Sequence, residues 1–398
     1  MQKRTTLLLA LSIGAGLWAC SEAAPREGTS THSLALADDS DPMEHITYLS
    51  SDAMKGRNSP SAQFDEAAKY VTDRLVKYGL KGPNEGDANG AYAQTFTQSS
   101  FAENSVANGA PHDEAAHARN FGNTLFERSF YLDEHMDPEA FRVVAGKSGR
   151  GENASFSDVR SAAVDAAGNT HNVLGLLEGT GAKKQEIIVV MSHLDHIGTT
   201  SSGQVNNGAD DNASGSGTNL AAVPALAQAK ANGELNRSVL FIWTAAEEDG
   251  LVGSKYFVDH PIANIGLGNI VGVINSDMVG RWDAQRISVI DKKSDGTTSY
   301  LAGLLTQANA KLASPFDTIN HDINQYARRQ DGASFYDKGE DVLFLFEGLS
   351  NPAGGGDLNP DYHAPGDDVS KILDDNNGDK PRKIRDLVIE LVKLAVNR

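Results

Sequence analysis

Four short apolar runs constrain this chain more than any other feature: "EIIVVM" (186–191), "SVLFIW" (238–243), "IVGVI" (270–274) and "DVLFLF" (341–346). Helical stretches alternate with them, among them "ASGSGTNLAAVPALAQAKANG" and the C-terminal "PRKIRDLVIELVKLAVNR". Continuously apolar strands separated by helices indicate an α/β fold, with a mostly parallel central sheet and helices on both faces. Pro224 lies inside the first of these helices and should bend it. The last helix places Ile384, Leu387, Val388, Leu391 and Leu394 on one stripe, as a core-packing helix does. A further amphipathic helix is expected from Phe64, with Ala67, Val71, Leu75 and Tyr78 on one side and Gly79 as its stop.

The chain has 398 residues, enough for one large α/β domain. Its formal charge of −18 disfavours nucleic acid and anionic membrane surfaces as partners. With one cysteine, Cys20, no internal disulfide forms, so a metal or a large core must stabilise the fold. Lys3 and Arg4 precede "LLLALSIGAGLWAC", an apolar run too short to span a bilayer but suited to a signal sequence. The run ends at Cys20 and resembles the lipobox of bacterial lipoproteins, whose cysteine carries the lipid. An ordinary cleavable signal peptide with an incidental cysteine is the alternative, and both imply export. Residues 1–19 are thus expected to be a signal peptide, 20–40 a flexible tether and 41–398 the main domain. The poorly apolar stretch at about 101–170 reads as an insertion or lid.

The chemistry gathers where the apolar runs end. "EIIVVM" leads into Ser192-His193-Leu194-Asp195-His196, "SVLFIW" into Glu247 and Glu248, and "IVGVI" into "NSDMVG" with Asp277. "NNGADDNASGSG", with Asp210 and Asp211, stands just before a helix, and "DYHAPGDD" lies near the C-terminus. Each is ordinary alone: paired acids favour helix starts, and "GADDNASG" makes a good N-capping turn. Together they deliver metal-capable side chains to the carboxyl ends of successive strands, where α/β sheets bind ligands.

In this order the motifs resemble those of the co-catalytic dinuclear zinc aminopeptidases, the secreted bacterial leucyl-aminopeptidase type (metallopeptidase family twenty-eight). The likeness covers roughly residues 44–398, including "YLSSDAMKGRNSP", and is weak over 101–170. It implies two zinc ions, one held by His193 and Asp277, the other by Glu248 and His363, with Asp210 bridging them. It also implies Glu247 as the general base and a cis peptide between Asp210 and Asp211. Three carboxylates against two divalent cations leave room for one more anion, and imidazole and carboxylate are proper zinc donors.

Asp195 is placed to accept the free N–H of His193, as carboxylates do for metal-bound histidines. Asp367 is a candidate for the same service to His363, with an exposed turn acid as the alternative. His196 reads as structural, His321 as solvent-exposed and Asp249 as an exposed helix-start acid. Where the family has Ser-Asp-His before an aromatic, this chain has Gln330, Asp331 and Gly332 before Phe335. Tyr326 is the candidate for oxyanion support, one position out of register.

The implied activity is removal of N-terminal residues from peptides with a free N-terminus, by an exported enzyme. A lipid anchor would hold it in the bacterial cell envelope; otherwise it is secreted. The alternatives are a carboxypeptidase or a single-zinc glutaminyl-cyclase-like acyltransferase on the same fold, or a non-catalytic binding domain. All five ligand positions and the base are filled, which favours two-metal hydrolysis.

Overall fold

The four apolar runs lack polar alternation because both faces of their strands are covered. A computed structural model describes residues 39–98 and 169–398, apart from 201, 263, 264, 322 and 354. The expected signal peptide, Cys20, nearly all of the tether and all but the last two residues of the insertion lie outside the described residues. Asp38–Arg398 form one compact unit.

Eight strands form one sheet: β1 (Ala93–Thr97), β2 (Asn169–Leu177), β3 (Ile187–His193), β4 (Ser238–Thr244), β5 (Ile270–Ser276), β6 (Arg286–Ile290), β7 (Thr318–Asn320) and β8 (Val342–Phe346). Their spatial order is β1-β2-β4-β3-β5-β8-β6-β7. The four apolar runs are its centre, β4-β3-β5-β8, paired in parallel throughout. β1 and β2 add antiparallel pairs at one edge, and at the other β6 runs antiparallel to β8 and parallel to β7. Every residue of β3, β4 and β8 is buried.

The helices are α1 (Pro42–Leu49), α2 (Ala62–Lys77), α3 (Gly215–Ala231), α4 (Val252–Asp259), α5 (Tyr300–Asn309), α6 (Gly332–Tyr336), α7 (Val369–Asn376) and α8 (Asp379–Val396). α3 packs against α1 and α8, and α5 against α8. On one face, Ile187, Val189, Met191, Leu240 and Ile242 meet Phe257 and Val258 of α4 and Phe335 of α6. Strand residues of the opposite parity point the other way. Trp243, for example, donates its indole N–H to Ser216 O of α3 (3.3 Å).

Local sequence sets the helix ends. Asp41 caps α1 through Met43 N with Pro42 in the first turn, and Ser61 caps α2 through Phe64 N. Gly79, at φ +70°, ends α2 as expected, because an L side chain there would be strained. In α8, Ile384, Leu387, Val388 and Leu391 are fully buried, whereas Leu394 is only half-buried. Burying each such side chain is worth roughly 1.5–3 kcal/mol. α3 continues through Pro224 to Ala231.

Candidate metal centre

Because β3, β4 and β5 are parallel, their carboxyl ends share one edge of the sheet. β3 ends on His193, β5 ends one residue before Asp277, and β4 ends three residues before Glu247. The turn after β4 is tight. Val252 N donates to Ala246 O and Gly253 N to Ala245 O, both at 3.0 Å. Ala246 and Leu251 hold left-handed φ of 54° and 61°. Asn172 of β2 closes its base, accepting from Ala245 N (3.1 Å) and donating to Gly253 O (2.9 Å). Met278 and His363 are also left-handed, at 49° and 54°. Such strain persists only where the surroundings over-determine it.

The side chains converge. His193 Nε2 lies 3.3 Å from Asp277 Oδ1 and 3.2 Å from Asp211 Oδ1. His363 Nε2 lies 3.1 Å from the other oxygen of Asp211 and 2.9 Å from Glu248 Oε2. One donor atom each from His193, Asp211 and Glu248 falls within 4.8 Å of the others. All five residues are buried. Buried imidazoles and carboxylates in this number are a donor set that suits zinc.

The electrostatics match a site built for cations. Burial raises Asp211, but His193 and His363 outweigh it and hold the carboxylate well below its usual range. Burial and Asp211 push Glu248 up, whereas His363 and His196 bring it down to about 2. Burial takes Asp277 up to about 6 against the pull of His193. Burial also raises Glu247 well above the carboxylate range, with His193 opposing. Glu247 is half-buried, and its charge interacts with those of His193, Glu248, Asp331 and Asp277.

Several expectations need correction. Asp211, not Asp210, occupies the shared position. Asp210 turns away, accepting from Gly280 N (2.8 Å) and Asn359 Nδ2 (2.9 Å) beside buried Glu347. The cis peptide likewise joins Asp211 to Asn212 and not Asp210 to Asp211. The reason is register: from left-handed Gly208 the irregular turn 209–214 swings each successive side chain to a new direction.

Asp195 does not put its carboxylate on His193. The ring Nδ1 is 3.2 Å from the Asp195 carbonyl and 3.8 Å from the carboxylate. That carboxylate accepts from Glu247 N (3.2 Å) and Glu248 N (3.3 Å). Asp367 does the equivalent for the other turn, accepting from Asp210 N (2.8 Å) and Asp211 N (2.9 Å) and leaving His363 to stack on Tyr362. Asp249 is half-buried and accepts from Gln98 Nε2. Tyr326 is half-buried, stacked on Phe346 in an apolar group with Met278 and Tyr362, the neighbours of Asp277 and His363.

His196 packs inside, with Nδ1 2.8 Å from Glu248 Oε1, and so steadies a candidate ligand. His321 is exposed, its ring 3.1 Å from Asp291. Gln330 accepts from Asn275 Nδ2 (2.7 Å) and Gly332 N (2.6 Å) and donates to Ala327 O (2.9 Å). The departure at 330 is therefore a built turn. Sequence reasoning missed Asn172, Arg57 and Glu347. Only "YLSSDAMKGRNSP" carried a trace of one of them, Arg57.

With this geometry in hand, comparison with known proteins is direct. The model of peptidase family M28 matches residues 172–391. A probable leucine aminopeptidase of Arthroderma otae is 31% identical over 194 residues, 48% of this chain and 50% of the relative. Aminopeptidase YwaD of Bacillus subtilis is 26% identical over 229 residues, 58% of this chain and 45% of the relative. The chain spans about half the length of the curated relatives it matches. The solved structure of a zinc aminopeptidase from Bacillus subtilis superposes with a TM-score of 0.58 at 18% identity, covering 90% of this chain and 95% of that one, which shows a shared fold. An α/β sheet carrying a buried His–carboxylate cluster at its strand ends is thus the class of protein the structure defines, and this chain belongs to peptidase family M28.

Proposed function

We propose that the chain is a zinc-dependent aminopeptidase that hydrolyses the first peptide bond of peptides with a free N-terminus. The observation that carries this reading is Asp211, whose two oxygens face different imidazoles, each with its own carboxylate beside it. His193 and Asp277 would hold one zinc, Glu248 and His363 a second, and Asp211 would be shared. The relatives' names, leucine aminopeptidase and aminopeptidase, support the substrate class.

Zinc, when bound, supplies a Lewis acid and makes water a usable nucleophile near neutral pH. Glu247 accepts the proton of the attacking water and delivers it to the leaving amine. Asp195 positions Glu247 by fixing two successive amides of its turn. Lys3, Arg4 and the apolar run up to Cys20 support export, with Cys20 as the site of a lipid anchor.

The test is zinc analysis of the purified chain alongside a panel of aminoacyl-nitroanilides and their N-acetylated forms. Two zincs per chain and cleavage confined to free amines are expected. One zinc with cyclisation of N-terminal glutamine would replace the reading with the acyltransferase, and no bound metal would leave a binding domain.

A further inference from the structure

The geometry points to Arg57 as a positioning residue for the metal centre, its guanidinium locking the His193-bearing and Asp211-bearing loops in register. The inference rests on the zinc reading above, and concerns a residue outside the segment matched by the family model.

Lys55, Gly56 and Arg57 take left-handed φ in succession, at 44°, 69° and 45°. Two of the three are not glycine, so the turn is strained and must be held by what surrounds it. It is wedged between two other loops. Gly198 N donates to Gly56 O (3.2 Å) and His196 N to Arg57 O (3.4 Å). A Cβ on Gly56 would lie 2.5 Å from both Asn206 O and Gly198 O, so the close approach requires glycine.

From this turn the wholly buried Arg57 side chain reaches three segments. Nε donates to Leu194 O (2.9 Å), the residue after His193. Nη1 donates to Asn207 O (2.7 Å) and Leu49 O (2.6 Å), and Nη2 to Gly208 O (3.0 Å), three residues before Asp211. These acceptors are backbone carbonyls, so the clamp acts on the chain path of both loops. Only a planar fork spans them; a lysine ammonium would reach one or two. The charge also faces Asp367, Asp195, Asp211 and Glu248, and burial brings the group only to about 10, so it stays cationic at neutral pH. Arg57 thus sets the 3.2 Å approach of His193 and Asp211 from behind.

Arg57→Lys and Arg57→Met in the full chain test this by zinc affinity in a chelator competition. Circular dichroism and the melting temperature of the metal-free protein are read in parallel. Arg57→Lys, which keeps the charge, should weaken zinc binding by about tenfold or more while remaining folded, as loss of outer-sphere support does elsewhere. A folded Arg57→Lys that binds zinc within about twofold of wild type overturns the inference. Should neither variant fold, hydrogen exchange of the wild type decides. Zinc should slow exchange over residues 50–58 as well as 193–212, and protection confined to the latter overturns the clamp. A wild type that takes up no zinc sinks the functional reading itself, and the inference with it.

Discussion

Asp210 and Asp211 are consecutive, yet their carboxylates face opposite ways. Asp211 lies between His193 and His363, at 3.2 and 3.1 Å. Asp210 is bound to Gly280 N and Asn359 Nδ2, behind the site. The two asparagine variants should therefore part company. Asp211→Asn should lose zinc and all measurable hydrolysis. Asp210→Asn should keep its zinc and cost about 1–3 kcal/mol of stability, through a backbone amide left poorly matched. Zinc analysis and urea unfolding of the pair check this; zinc loss in Asp210→Asn alone would reverse the assignment.

Glu247 and Glu248 make the same kind of contrast. Glu248 is 2.9 Å from His363 Nε2 and 2.8 Å from His196 Nδ1, whereas Glu247 is half-buried on the same turn, its amide held by Asp195. Glu247→Gln should lower kcat by about 10²–10⁴ with unchanged zinc content. Glu248→Gln should lose metal. Retained turnover in Glu247→Gln would remove its role as general base.

How much of this was legible beforehand depended on whether a residue's meaning lay in its type or in its direction. The four apolar runs marked the centre of the sheet because buried parallel strands have a composition of their own. His193, Glu248 and Asp277 are conspicuous as metal-capable residues after apolar runs, His363 enters only through the family resemblance, and the structure brings the four side chains together. Asp210 was chosen over Asp211 because adjacent aspartates look alike in one dimension and differ only in the dihedrals of an irregular turn. Asp195 and Asp367 were recognised as supports, but their targets are backbone amides, which no sequence pattern names. β6 and β7 were missed as short outer strands, and Arg57 because its acceptors are carbonyls.

His45 makes stability depend on pH away from the site. It is fully buried; its Nε2 donates to Asp39 O and its Nδ1 accepts from Tyr70 Oη, both at 2.9 Å, so the neutral ring fits. Burial lowers it from 6.5 to about 4. The unfolded chain therefore binds the proton first, and stability falls as pH drops from 6.5 to 4, levelling below that. The full effect is at most about 3 kcal/mol. Wild type and His45→Gln, compared by urea unfolding at pH 7.5, 5.5 and 4, should show the wild type losing its advantage across that window. Parallel curves would refute the assignment.

Gly332 and Gln330 depart from the family's pattern together, and the structure makes them depend on one another. A Cβ at 332 would lie 2.5 Å from Gln330 Oε1 and 2.8 Å from Val342 Cγ1. That oxygen is pinned by Asn275 Nδ2 and Gly332 N, and the same side chain donates to Ala327 O, so it has little freedom to yield. Gly332→Ala should cost about 1–3 kcal/mol by overpacking. Gln330→Ser should cost a similar amount, since buried Asn275 loses its acceptor. In the double variant the serine vacates the space the new methyl needs, leaving only Val342 to adjust. Its cost should fall short of the sum of the singles by at least about 0.5 kcal/mol, as expected for residues in contact. Urea unfolding of all four proteins measures the coupling, and strict additivity would mean that the two positions changed independently.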